Sequence, residues 1–506
     1  MASVKDDSND EAIPLAEQEL VYQKWSILWR SIILSAMGKT LFPYCQFIRF
    51  LDMRDFNHLL DDDRFKGRIR ERFFSGDLKR FHLEVVQKLP PNVKANDWRR
   101  RPRLDYPAIT HAVGDILTEK APIVDTISGP IAPTSLRRWI PRLPRLRSLE
   151  LYDGSGLDGE IAELLRIYCP KFNSCSIFRS DVYKDDSLSA FFSGLKEQSL
   201  ESFVTFSMNG FGPQCCLGIS RHSNALTELK LFMSPAVIPH IGLLKGLTAL
   251  ETLTLTDDRK IVDLEAEQND VFLDLIEWLK SCKKLRNLRL GLYNCGAAVA
   301  TPIVLQNDIR LRYLEVSDYA GKDHNSFHLS LAHQRQLEHL ILESDPIDSF
   351  DEIQTLISSL CELRQLRVLR LIGVSNLFPE EAVKLLSDNL QMLEEFYIAG
   401  LSLDDTALES VSQLRNLKVM TFFGITKFTF HGLLDFAELL GDRNHQILLL
   451  AVDNADPDTG LSDEEQAFLR AAFAERCGGK LEYTLQRGND RPALYLYCVI
   501  VATLIQ

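Results

Sequence analysis

The 506-residue chain has no apolar run of the roughly 18–20 residues that a membrane-spanning helix requires, so no membrane partner is expected. Its nearest approach, Ala493–Ile505, is broken by tyrosines at 495 and 497 and reads as a short final strand that caps the fold. Nor is a secretory leader expected: Met1–Gln18 are polar and acidic without an apolar core, and residues 1–20 are expected to form a disordered tail. Positive charge is in deficit: 57 Lys and Arg stand against 70 Asp and Glu, a net of -13, which opposes general nucleic-acid binding. The ten cysteines form no CxxC pair, and Cys215 and Cys216 are adjacent. Reduced thiols in cytosol or nucleus are the expectation. Neither GxxxxGK[ST] nor GxSxG occurs, and no paired carboxylates stand in a catalytic context. No enzyme activity, cofactor or metal is expected.

What the chain does have is repetition. Leu366-Arg-Val-Leu369-Arg-Leu371, Leu393-Glu-Glu-Phe396-Tyr-Ile398 and Leu417-Lys-Val-Met420-Thr-Phe422 share an LxxLxL phrase, each followed by x-Gly-apolar-hydroxyl. The phrase recurs from Leu226, Leu250, Leu285, Leu311 and Leu337, so that successive starts from 226 to 417 differ by 24, 35, 26, 26, 29, 27 and 24 residues. An earlier copy starts at Leu146, and weaker ones fall at Phe172 and Leu200. Outliers lie further upstream, at Ile48-Arg-Phe-Leu51-Asp-Met53 and Leu78-Lys-Arg-Phe81-His-Leu83. A period of about 20–29 residues with this core is the leucine-rich-repeat signature.

Within each phrase the Leu-x-Leu alternation makes a short strand with its leucines on one face. Between phrases, Glu380–Leu386 and Asp405–Val411 carry apolar residues three and four apart, as amphipathic helices do. The predicted fold is therefore an α/β leucine-rich-repeat solenoid, a curved parallel sheet with outer helices. Stacking the repeats removes strand and helix faces from water together, at about 25 cal/mol per Å² of apolar area. Residues 1–20 are assigned to the tail, 21–143 to an N-terminal helical cap with degenerate repeats, and 144–506 to the solenoid with its C-terminal capping strands.

A solenoid offers a concave sheet for holding another macromolecule. Its outward positions are the third and fifth of each phrase. These are Asn287, Tyr313, His339, Val368, Glu395 and Val419, then Arg289, Glu315, Ile341, Arg370, Tyr397 and Thr421. Exposed Tyr313, Ile341, Val368 and Tyr397 among charges have the composition of a protein interface.

Other motifs have plainer readings. Gly154-Ser-Gly156-Leu-Asp-Gly159 matches GxGxxG and has Asp181 downstream, yet a leucine-rich repeat is itself strand–turn–helix, so a repeat turn accounts for it. His324, His328 and His333 lack a clear third metal ligand and read as surface histidines. Trp98-Arg-Arg-Arg101-Pro-Arg103 reads as a solvated basic loop, with nuclear import as its functional alternative. Cys215 and Cys216 read as small packing groups.

Upstream, Val21-Tyr-Gln-Lys-Trp25-Ser-Ile-Leu-Trp29-Arg-Ser-Ile-Ile-Leu-Ser35 has helical spacing. Gly38-Lys-Thr-Leu-Phe-Pro-Tyr-Cys45 and Ile48-Arg-Phe-Leu-Asp-Met-Arg-Asp55 follow it. These blocks, with the repeats, resemble fungal F-box/leucine-rich-repeat proteins over most of the chain from Val21 onward. The resemblance implies a substrate receptor of a Skp–cullin–F-box ubiquitin ligase, with a protein target on the concave sheet and a Skp-type adaptor and cullin as partners. It also gives Trp25 and Trp29 an adaptor-side role. The F-box itself departs from the pattern: Ile13-Pro14-Leu15 is the nearest match to its opening, and a truncated F-box is expected. The alternative is a non-catalytic interaction scaffold with no ubiquitin role.

Overall fold

The computed structural model describes residues 15–85, 102–179, 185–206, 211–233, 237–257, 262–319, 325–347, 349–374, 378–399, 403–424, 426–441, 449–455 and 460–485. The expectations for the acidic tail up to residue 14, for 98–101, for Asp181, for His324 and for the 493–505 strand concern positions outside these. The chain divides into two compact units, Met1–Leu231 and Phe232–Gln506.

In the first unit, strands Phe50–Asp52, Thr126–Gly129, Ser148–Asp153, Ser174–Arg179, Ser202–Thr205 and the first-unit part of Glu228–Met233 each run parallel to the next. The second unit repeats the scheme through Thr252–Asp257, Asn287–Asn294, Tyr313–Tyr319, His339–Ser344, Val368–Ile372, Glu395–Ala399, Val419–Phe423, Leu449–Ala455 and Lys480–Leu485. Parallel neighbours need a crossover between them, and helices or 3₁₀ turns supply it. This is the α/β leucine-rich-repeat fold. No described helix is long and apolar enough to cross a membrane.

Burial follows the predicted alternation. Leu288, Leu290, Leu340, Leu342, Leu369 and Leu371 are fully buried, while Arg289, Ile341 and Arg370 between them are not. The helices between the phrases also form as their apolar spacing predicts, over Glu380–Asn389 and Asp405–Val411.

Carboxylates and hydroxyls start the helices. Asp158 accepts from Ile161 N, Asp404 from Thr406 N, and Ser462 with Glu465 forms a reciprocal capping box. Some caps reach across repeats. The Asp185 carboxylate accepts the N–H groups of Gly212, Gln214 and Cys215 at 2.8–2.9 Å and so starts the next helix, Pro213–Ile219.

A second device joins the turns that precede the strands. Cys169 donates to Leu143 O (3.3 Å), and Cys282 donates to Leu247 O (3.4 Å). Gln334 donates to Ile309 O (3.1 Å) and accepts from Leu311 N (2.9 Å). His222 accepts from Leu200 N (3.3 Å). Each buried side chain thus satisfies a backbone group in the turn one repeat earlier.

Two expectations need correction. Leu78–Leu83, read as a repeat strand, is a 3₁₀ helix over Gly76–Phe81 with Leu78 and Phe81 buried. Apolar residues three apart share a face in a three-residue turn as readily as they open an LxxL phrase. His328, read as a surface residue, is fully buried in helix Asn325–Ser330, with Nε2 3.3 Å from the Tyr319 hydroxyl. His333 is exposed.

Candidate protein-binding face

In the second unit the register aligns the third positions as one row, Asn287, Tyr313, His339, Val368, Glu395 and Val419, each opposite the next. The fifth positions, Arg289, Glu315, Ile341, Arg370, Tyr397 and Thr421, make a second row beside it. Neighbouring strands stand about 4.8 Å apart, so a partner lying across the strands meets residues from several repeats.

The rows are cross-linked. Arg289 Nε lies 3.0 Å from Glu315 Oε1, and the Tyr313 hydroxyl donates to the same carboxylate. Arg370 pairs with Glu395 on the next strand. Asn287 Nδ2 donates to Thr252 Oγ1 at 3.0 Å, and the Tyr313 and His339 rings lie 5.8 Å apart. Burial raises the Tyr313 phenol pKa, and the Glu315 charge raises it further, so the phenol stays protonated and keeps donating. Burial lowers the His339 pKa and favours the neutral ring.

Alternation by itself predicts freely exposed groups at all twelve positions. Only Arg289 is exposed; Glu315 is buried, and the other ten third- and fifth-position residues are half-buried. The charges pair sideways along the sheet, leaving the aromatic and aliphatic members, Tyr313, His339, Ile341, Val368 and Tyr397, between neutralised pairs.

The face also extends past the end of the LxxLxL phrase. Phe423, at the seventh place of its repeat, stacks on Tyr397 with centroids 6.4 Å apart and planes 19° from parallel. Strand alternation places odd positions on one face, so the seventh belongs with the third and fifth.

Trp25 and Trp29 sit on helix Leu15–Ala36. Both indole N–H groups donate to Asp55 Oδ2, at 2.9 and 2.7 Å, and Trp29 is buried against Phe56. The outer face of this helix carries Leu20, Val21, Ile27 and Leu28 instead. Trp29 is thus packed into the first unit, and Trp25 is half-buried beside it.

The glycine motif forms the turn between strand Ser148–Asp153 and the helix that follows it. Asp158 occupies the amide end of helix Gly159–Tyr168 and is paired with Arg137 at 2.6 Å, and a methyl at Gly156 would strike Pro133. Cys215 and Cys216 are fully buried, and burial raises both thiol pKa values, that of Cys216 to about 12.

No family model matches the chain, and no curated protein does. Among solved structures, a chain of the Rad7–Elc1 complex of yeast is similar at 16% identity over 62% of this chain and 73% of its own length, with a TM-score of 0.35. A chain of the TLR13–ssRNA13 complex is similar at 14% identity over 74% of this chain and 64% of its own length, with a TM-score of 0.34. Both are leucine-rich-repeat solenoids.

Proposed function

We propose that this chain recognises a protein target with the third-, fifth- and seventh-position face of its second unit. Its role is substrate receptor of a Skp–cullin ubiquitin ligase in cytosol or nucleus, where partner subunits carry the chemistry. The observation that supports binding there is the set of Tyr313, His339, Ile341, Val368, Tyr397 and Phe423 on consecutive strands, between charge pairs that already satisfy one another. A partner gains by covering apolar groups there without stripping water from an unpaired charge.

The indoles favour a second reading, the interaction scaffold without a ubiquitin role, because both donate to Asp55 and Trp29 is buried, which leaves less of them for an adaptor to touch.

One experiment separates the readings. The full chain is expressed with tagged Skp-type adaptor and cullin, as wild type and as Ile341→Asp/Tyr397→Ala. Co-purification of the adaptor with both forms, with ubiquitylation of captured proteins lost only in the variant, is the receptor outcome. No adaptor with either form, but loss of captured proteins from the variant, is the scaffold outcome. Unchanged capture by the variant removes the binding site from this face.

A further inference from the structure

The sheet of the first unit carries a face of different chemistry from that of the second. Its third positions are small hydroxyl residues on four consecutive strands, Thr126, Ser148, Ser174 and Ser202, each opposite the next. The seventh positions of the three phrases that start at 146, 172 and 200 are aromatic: Tyr152, Phe178 and Phe206. Phe206 stays in register past the end of its strand by donating its N–H to Ile177 O at 3.0 Å. The Phe178 and Phe206 rings stack with centroids 4.9 Å apart and planes 3° from parallel, and Tyr152 and Phe206 are exposed. Odd positions share one face of a strand, so short side chains floor a trough and the rings make its wall.

Between floor and wall run the fifth positions, where Asp52, Ser128, Glu150 and Ser176 stand opposite one another in that order. Most charges on this face are already paired. Arg54 lies 3.5 Å from Asp52, and Lys230 lies 2.9 Å from Glu228. Glu150 is half-buried and has no cationic partner among the described residues; the Arg54 guanidinium sits instead by the Phe178 ring, 5.6 Å from its centroid. Ser128, beside Glu150, is 1% exposed, and its hydroxyl has no hydrogen-bond partner. A buried hydroxyl in that state costs stability, and alternation aims this one onto the trough side of the sheet. Ser202 donates to Glu228 Oε2 at 2.7 Å and Thr126 to Asp125 Oδ1 at 3.2 Å, which leaves the half-buried Ser148, Ser174 and Ser176 open to a partner.

We propose that this trough binds an extended peptide of a partner protein, with one lysine or arginine side chain set against Glu150 and apolar side chains along Tyr152, Phe178 and Phe206. The occupant follows from what each row offers. Serine hydroxyls both donate and accept, as the alternating N–H and C=O groups of an extended backbone require, and their small size lets that backbone come close. A single uncompensated carboxylate calls for a single cation, which can also donate to the Ser128 hydroxyl. The aromatic wall takes apolar side chains. From Asp52 to Val204 the trough crosses five strands, about 19 Å, which about six extended residues span. A nucleic-acid strand fits less well, because Phe178 and Phe206 spend ring faces on each other and the unpaired charge is negative. The proposal stands independently of the second-unit reading, since it rests on different strands and different residues.

The test selects random heptapeptides displayed on phage against the full chain, as wild type, as Glu150→Lys and as the second-unit variant Ile341→Asp/Tyr397→Ala. Wild type and the second-unit variant should both enrich peptides with one Lys or Arg flanked by apolar residues, and Glu150→Lys should turn that preference to Asp or Glu. A synthetic copy of the enriched peptide, followed by fluorescence polarisation, should bind Glu150→Gln at least about tenfold more weakly than wild type, and Phe178→Ala/Phe206→Ala more weakly as well. Glu150→Gln keeps the size of the side chain and should melt with wild type. Enriched peptides without a basic residue, or with one that Glu150→Lys leaves unchanged, would overturn the proposal. So would enrichment that the second-unit variant abolishes, which would place the peptide on the other face. A labelled ten-nucleotide oligothymidine whose binding is lost in Phe178→Ala/Phe206→Ala would make the rings a platform for bases and overturn it equally.

Discussion

The Arg370 guanidinium and the Glu395 carboxylate hold each other across neighbouring strands, with side chains only 15% and 13% exposed. Alternation alone treats Arg370 as a dispensable outward residue. The pair makes it a stabilising one, because removing either partner strands the other charge in a partly dry place. Arg370→Ala should cost roughly 1.5–3 kcal/mol, and the double change with Glu395→Ala should cost less than the two singles added together. Denaturant titration of the four proteins measures this, and strict additivity would dissolve the pair.

Leu340 and Leu369 lie under the same face, fully buried. Truncating either to Ala should cost roughly 2–5 kcal/mol through lost transfer energy and a residual cavity. Thr421→Ala, on the outward row, should stay within about 1 kcal/mol. A melt in which Thr421→Ala matches Leu369→Ala would reverse the strand register.

Asp55 serves both Trp25 and Trp29. Asp55→Ala should destabilise the first unit by roughly 1–3 kcal/mol, chiefly by leaving the buried Trp29 N–H without an acceptor. Trp29→Phe should cost more than Trp25→Phe, since Trp25 is only half-buried. If Asp55→Ala melts like wild type but fails to recover a Skp-type adaptor, the indoles belong to a docking site after all.

His222 accepts from Leu200 N through Nδ1, and its Nε2 lies 3.1 Å from Phe192 O, an arrangement that suits the neutral ring with Nε2–H as donor. Burial lowers its pKa below the ordinary 6.5. As pH falls through 6.5 the unfolded chain takes up a proton that the folded protein refuses, so stability declines there and is flat above it. His222→Gln keeps a donor and an acceptor without titrating, and should reduce the slope between about pH 7 and pH 5. His339 adds to the slope in the same direction, so the wild-type curve should exceed the variant's without the variant's vanishing. Identical slopes would place the titration elsewhere.

The second unit is legible in the sequence because its phrases keep leucine or an equivalent at every buried position. Among the described residues, three strands of the repeat series are hidden, each for a local reason. At Val124-Asp-Thr-Ile127-Ser-Gly129 the last apolar place is a glycine with φ of 126°, where a Cβ would come within 2.6 Å of the Arg54 amide. At Lys480–Leu485 the first place falls on Gly478, the left-handed residue that ends helix Asp463–Cys477. In Leu449–Ala455 the spacer residues are themselves apolar, which hides the period. The rows of the candidate face can be read from spacing. Their sideways pairing cannot, since it depends on which side chains stand opposite one another on adjacent strands.

The residues that tie one turn to the turn before it are Cys169, His222, Cys282 and Gln334, four positions filled by three chemistries. What the site asks for is a small buried group able to reach a main-chain atom one coil away, and thiol, imidazole and amide all qualify. Sequence drift there is therefore cheap so long as that capacity survives, and ruinous when it does not. Gln334→Leu should be harsher than its near-equal volume suggests, because it strands both Leu311 N and Ile309 O, whereas Cys282→Val should be mild, since Leu247 O keeps the Trp278 Nε1–H donor at 3.1 Å. A profile tuned to residue identity would not tell these two positions apart.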